Sequence, residues 1–161
     1  MLATDIGTSS ERLKNVTFGS AGSAANTYTQ NLDKDIYAQN TYIGNGTNKT
    51  ILEMKDDVKF DGSLTVRANS LLDVNTHDIK VTENLALAAN SLTGFKVYTS
   101  DITASGSSAN VPSGSITTNT LTIDNNAIIK VNYEGTLYGA GSYTLISANS
   151  ISGTYLGTEA N

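Results

Sequence analysis

The sequence predicts an all-β, right-handed parallel β-helix of about five or six coils, and three observations carry that expectation. A stretch from Asp56 to Thr99 contains the same pattern twice: Val58-Lys-Phe60, Leu64-Thr-Val66 and Ala68-Asn-Ser-Leu71 return 21 residues later as Ile79-Lys-Val81, Leu85-Ala-Leu87 and Ala89-Asn-Ser-Leu92. Each block is an apolar-x-apolar run, the period of a strand with one buried face. A unit of this size cannot bury its inner face alone and must stack on a copy of itself. Finally, no segment sustains a 3.6-residue apolar period, so little or no helix is expected.

Composition agrees. Apolar residues make up 39% of the 161 residues and charged residues 16%; Asn, Thr, Ser and Gly fill the difference. A disordered chain would be poor in aromatic and β-branched residues, whereas Val, Ile, Thr and eight Tyr are spread along this one. A single Pro suits strands that need their backbone donors. With no Cys, neither a disulfide framework nor a thiolate metal site can form. The net charge is −5 and the ten Lys and Arg are scattered, so the electrostatic footprint of a nucleic-acid or anionic-membrane binder is missing.

Three regions are read in order. Residues 1–34 are polar, with one apolar run, Leu13-x-x-Val16-x-Phe18, then Gly19-Ser-Ala-Gly22. They read as a frayed tail with a flexible loop, or as an incomplete coil that starts the stack. Residues 1–20 have no basic and apolar leader pattern, and Met1 runs into mid-pattern sequence, as expected of a segment from a longer protein. Residues 35–131 are the coils. Ile36, Ala38, Tyr42 and Ile43 form a degenerate copy at an offset near 22, and Asn45-Gly46 is a turn signal. The clean coils at 56–99 place Asn69 and Asn90 at equivalent corners, where asparagine can take a left-handed conformation; a short asparagine ladder through them is expected. Residues 100–115 read as a polar loop holding Pro112, an insertion or a binding element. Alternation resumes at Ile116, Leu121-Thr-Ile123 and Ala127-x-Ile129-x-Val131, with a corner at Asp124-Asn125-Asn126. Residues 132–161 read as a hairpin-like capping element: Tyr143-Thr-Leu145-Ile146 is its strand, and Ala148-Asn-Ser150 echoes the corner a third time. An open solenoid end exposes unpaired strand edges and needs such a cap.

The tail Leu121-Thr-Ile123-Asp-Asn-Asn-Ala127-x-Ile129-x-Val131, then Gly139-x-Gly141-Ser-Tyr143-Thr-Leu-Ile146, then Ile151-Ser-Gly153-Thr-Tyr155, resembles the end of passenger domains of bacterial type V autotransporters, in particular rickettsial surface cell antigens. That resemblance implies an autochaperone region with Tyr143, Leu145, Gly153 and Tyr155 as structural residues, secretion through the parent chain's own outer-membrane barrel, and residence at the bacterial cell surface. It also implies an adhesin or stalk role in virulence, a host-cell surface protein or glycan as partner, no cofactor, and a monomer. The barrel is not in this sequence, and the coils are few for such a passenger.

Chemistry-bearing residues form no convincing catalytic or metal-binding set. His77 is the one histidine, close in sequence to Asp73 and Asp78, and reads as a solvated turn residue. Polysaccharide-cleaving β-helices use clustered carboxylates. Here the repeat sets Asp57 opposite Asp78 but Asp61 opposite Thr82, while Lys59 stacks on Lys80 and Arg67 faces Ala88. The chain is therefore read as a non-enzyme. A carbohydrate-active β-helix, lyase or hydrolase, and a phage tail-spike fragment are the alternatives.

Overall fold

Val58 to Val66 alternate without a break between buried and half-buried positions. That alternation is what a strand needs if one face lines a core and the other meets solvent. The computed structural model describes residues 4–19, 27–98, 113–134 and 143–153. It contains eleven described strands and, among the described residues, no helix: β1 (Leu13–Phe18), β2 (Thr27–Leu32), β3 (Ile36–Ile43), β4 (Lys49–Met54), β5 (Val58–Val66), β6 (Ser70–Asn75), β7 (Asp78–Leu87), β8 (Leu92–Tyr98), β9 (Ser115–Ile123), β10 (Ile128–Glu134) and β11 (Ile146–Gly153).

Odd-numbered strands form a six-stranded sheet in the order β1-β3-β5-β7-β9-β11; even-numbered strands form a five-stranded sheet, β2-β4-β6-β8-β10. Every strand pair among the described residues is parallel. The fold is a parallel β-solenoid, as the repeat predicts. Five strand-to-strand steps make the longer sheet about 24 Å tall.

The 21-residue repeat is one coil. Val58 pairs with Ile79, Phe60 with Val81, Leu64 with Leu85, Val66 with Leu87 and Leu71 with Leu92. Inner rows run up the stack from these pairs. One passes through Val16, Thr41, Leu64, Leu85, Leu121 and Ile151. Leu64 and Leu85 are fully buried, and burying one such side chain stabilises by about 1.5–3 kcal/mol. In the longer sheet the register slips between Tyr37 and Asn40 and again between Val81 and Asn84. At the same level in β5, Gly62 (φ 144) leaves no room for a side chain, because a Cβ would lie 1.9 Å from the Ala38 carbonyl oxygen.

Several sequence expectations need adjustment. Of the two readings of residues 1–34, the coil that starts the stack is the one found, since β1 and β2 belong to the sheets. The coil at 36–43 is not offset by 22: Ile36 pairs with Phe60 and Ile43 with Val66, because the 44–48 corner is longer than the corners that follow. Residues 113–115, read as part of a loop, already belong to the stack: Ser113 is buried, its Oγ accepts the Tyr98 N–H at 3.0 Å, and Ser115 opens β9. The remainder of that loop, with Pro112, lies outside the described residues. The described part of the closing segment is no hairpin: residues 132–134 end β10, which pairs parallel with β8, and β11 pairs parallel with β9. Ala148-Asn149-Ser150 is strand interior there, not a corner: Ala148 pairs with Thr118, and the Asn149 amide donates to Asn119 Oδ1 at 3.0 Å. Pairing with β9 overrides the local turn preference of Asn and Ser.

Candidate functional site: an aliphatic groove beside the asparagine corners

Asn69 and Asn90 both sit in the left-handed region (φ 60 for each), and so does Asn126 (φ 64). Each is the third residue of a tight turn whose first carbonyl accepts the fourth residue's N–H: Ser70 to Arg67, Ser91 to Ala88, Ala127 to Asp124. The corners are joined through the main chain. Asn69 N–H donates to the Asn90 carbonyl at 3.1 Å, and Asn90 N–H to the Asn126 carbonyl at 3.1 Å. The Asn69 side-chain amide donates down to the Gly46 carbonyl at 3.1 Å. The ladder thus has a third asparagine that the sequence reading left as a plain corner; its signal was the Asp-Asn-Asn-Ala turn before Ala127-x-Ile129-x-Val131.

Beside this line of corners the outer face of the five-stranded sheet carries an apolar row. Ile51, Leu71, Leu92 and Ile128 are direct register partners. They floor a groove of ≈ 540 Å³ whose rim includes Asn48, Lys49, Asn69 and Asn90. On strands that should alternate core and solvent, an aliphatic row on the outer face is the exception, and it gives this face apolar contact area edged by amides. The next outer row holds Glu53, Asp73, Gly94 and Lys130. Glu53 and Asp73 are therefore rung neighbours, a carboxylate pair that the sequence comparison of Asp57, Asp61, Asp78 and Thr82 did not find. Lys55 Nζ holds Glu53 at 2.6 Å. Burial pushes the Asp73 carboxyl above its ordinary range, against the opposing effect of the Asn75 N–H that it accepts at 3.2 Å.

The other singled-out residues fall elsewhere. His77 Nδ1 lies 3.7 Å from Asp57 Oδ1, and that same oxygen accepts the Asp78 N–H at 2.9 Å. No three metal-capable side chains lie together among the described residues. Lys59 and Lys80 are register partners, as the repeat implies, and Lys59 pairs with Asp61 at 3.4 Å. Arg67 has partners that the repeat does not show: its guanidinium lies over the Tyr42 ring at 4.0 Å and donates to the Gly44 carbonyl at 3.3 Å. Arg12 reaches across coils to Glu83 at 3.2 Å and to Asp61 at 3.9 Å. Nothing in its local sequence signals this, since the contact spans 71 residues.

At the C-terminal end, the Tyr143 hydroxyl donates to the Ser113 carbonyl at 2.8 Å. Leu145 packs on the core, and its carbonyl accepts the Ile116 N–H at 2.8 Å. Gly153 (φ 121) pairs with Ile123, whose carbonyl oxygen would lie 2.1 Å from an added Cβ. Tyr155 lies outside the described residues. These contacts fasten the last strand to β9 and its flank. No family model, curated protein or solved structure matches the chain.

Proposed function

We propose that the chain is a non-catalytic adhesive or stalk segment of a bacterial surface protein secreted in the autotransporter manner, and that its C-terminal coils help the rest of the stack to fold. The observation behind this reading is the rung-by-rung continuity of the solenoid. Each described coil lies on its neighbour with parallel register and one shared set of inner rows. Parallel pairing between distant segments is slow to nucleate, so a preformed end lowers the barrier for the next coil. The Tyr143, Leu145 and Gly153 contacts supply such an end. The aliphatic groove is the surface through which adhesion to a host-cell protein or glycan is proposed. Export is tested by placing the chain ahead of an autotransporter barrel whose own passenger tail has been removed. Protease-resistant chain at the cell surface is the expected result; degradation in the periplasm contradicts the reading.

One observation favours the carbohydrate-active alternative. Glu53, ion-paired to Lys55, and half-buried Asp73 stand side by side at the groove's flank, and two carboxyls in unlike surroundings are the equipment of glycoside cleavage. Incubation with a panel of polysaccharides separates the two. Under the stalk reading neither reducing ends nor unsaturated sugars accumulate. Product formation that Asp73→Asn abolishes establishes the enzyme instead.

A further inference from the structure

On the outer face of the longer sheet, two ranks of side chains run up the stack without a charge. In one, Thr17, Tyr42, Thr65, Ala86, Thr122 and Ser152 are successive register partners. In the other, Asn15 pairs with Asn40, Asn40 with Ser63, Asn84 with Thr120 and Thr120 with Ser150. Ser63 and Asn84 are joined through the adjoining pair Leu64 and Leu85. The inner strands β3, β5, β7 and β9 carry the pattern by themselves, and their eight side chains in the two ranks are all half-buried. The charges of this face lie elsewhere. Lys59, Asp61 and Lys80 come before the ranks on β5 and β7. Glu83 is held by Arg12 at 3.2 Å and accepts the Ser63 hydroxyl at 3.1 Å. Arg67, beyond the ranks, is taken up by the Tyr42 ring and the Gly44 carbonyl.

We propose that these two ranks bind a neutral, extended, β-linked polysaccharide laid along the stack axis. Charge argues for this occupant. An uncharged strip, on a chain of net charge −5, offers nothing to an ionic polymer. Its hydroxyls and amides both donate and accept hydrogen bonds, as sugar hydroxyls do. Spacing argues for it as well. Rungs recur about every 4.8 Å, and the two ranks stand two residues apart along each strand, about 6.7 Å. An extended β-linked chain advances by nearly one rung per pyranose unit, so each sugar meets the same pair of positions. A helical α-linked chain does not keep that step. The ranks are also held in place before binding. The Thr122 hydroxyl donates to Asn84 Oδ1 at 3.4 Å, and the Asn40 amide to Asn15 Oδ1 at 3.2 Å. Side chains already fixed lose less freedom when a ligand arrives. The strip and the aliphatic groove lie on different sheets. The inference depends neither on the groove nor on the secretion reading.

Calorimetric titration of the full chain with cello-oligosaccharides and N-acetylchito-oligosaccharides, from dimer to hexamer, tests it. At least one series should bind, with the hexamer about tenfold tighter than the dimer, because a longer chain engages more rungs. Raising sodium chloride to about 1 M should leave the affinity unchanged, since no charge takes part. Helical amylose and acidic alginate should not bind. Thr65→Lys/Ala86→Lys, in the middle of one rank, should abolish binding with an unchanged far-UV circular dichroism spectrum, and so should Ser63→Lys in the other. Should a lysine variant lose its β signal, Thr65→Val/Thr122→Val takes its place, since it keeps the shape and removes two hydroxyls; full affinity in that variant overturns the proposal. A full chain that binds neither series overturns it whatever the variants do. So does affinity that falls with salt. Binding that survives Ser63→Lys but is lost in Leu92→Lys also overturns it, and places the sugar in the groove.

Discussion

Asn90 carries two duties at one position. Its backbone adopts φ 60, and its N–H and carbonyl connect the coil above to the coil below. For most side chains the left-handed conformation costs about 1–2 kcal/mol, while Asn and Gly adopt it readily. Asn90→Ala should therefore lower unfolding stability by about 1–2 kcal/mol, and Asn90→Gly by much less; urea midpoints measure both. Asp73 supplies a second residue-level outcome. Its carboxyl is raised chiefly by burial, so its ionised form is disfavoured in the folded chain. Its favourable contribution is full below the ordinary carboxyl value of 3.8 and is lost as pH rises through the higher folded value. Asp73→Asn should accordingly raise the urea midpoint at pH about 7, and the two proteins should converge below pH 3.8. At this scale the sequence was readable where the repeat is clean: Asn69 and Asn90 were marked as corners by their shared offset. Asn126 reads as a corner but not as a member of the ladder, because the segment carrying 100–112 breaks that offset, and the Glu53–Asp73 pair is hidden because β4 and β6 lie 20 residues apart, not 21.

Strands here are shaped by their neighbours as much as by their own residues. β5 runs through Gly62, where the Ala38 carbonyl of the adjacent coil and the Arg12 guanidinium from the coil beyond it crowd the backbone. Gly62→Ala should destabilise the chain by about 2–4 kcal/mol, read as a fall in the urea midpoint with little change in slope. Apolar alternation made β5 through β9 legible, since each presents buried residues at every second position for most of its length. β11 was not legible. Its exposed Ser147, Asn149, Ser150 and Ser152 resemble a turn in isolation, and only pairing with β9 makes a strand of them. The same limit hid β2, whose Tyr28-Thr-Gln-Asn has little apolar character until it lies on β4.

For the whole molecule, most contacts join segments distant in sequence, so no coil is stable by itself and the stack should form as a unit. The period of a solenoid is written in its sequence, which is why the architecture could be read from two copies of one pattern. The candidate site is not, because the aliphatic groove is assembled from one residue in each of four strands: Ile51, Leu71, Leu92 and Ile128. The central claim is that β9, β10 and β11 form a folding end for the coils before them. It is tested most directly by refolding from denaturant, followed by far-UV circular dichroism, of the full chain and of a chain ending at Tyr98. The account predicts that the full chain regains its β signal while the shorter chain does not, or does so far more slowly. Equal recovery of both would contradict it, and would reduce the last three strands to an appendage of a stack that folds without them.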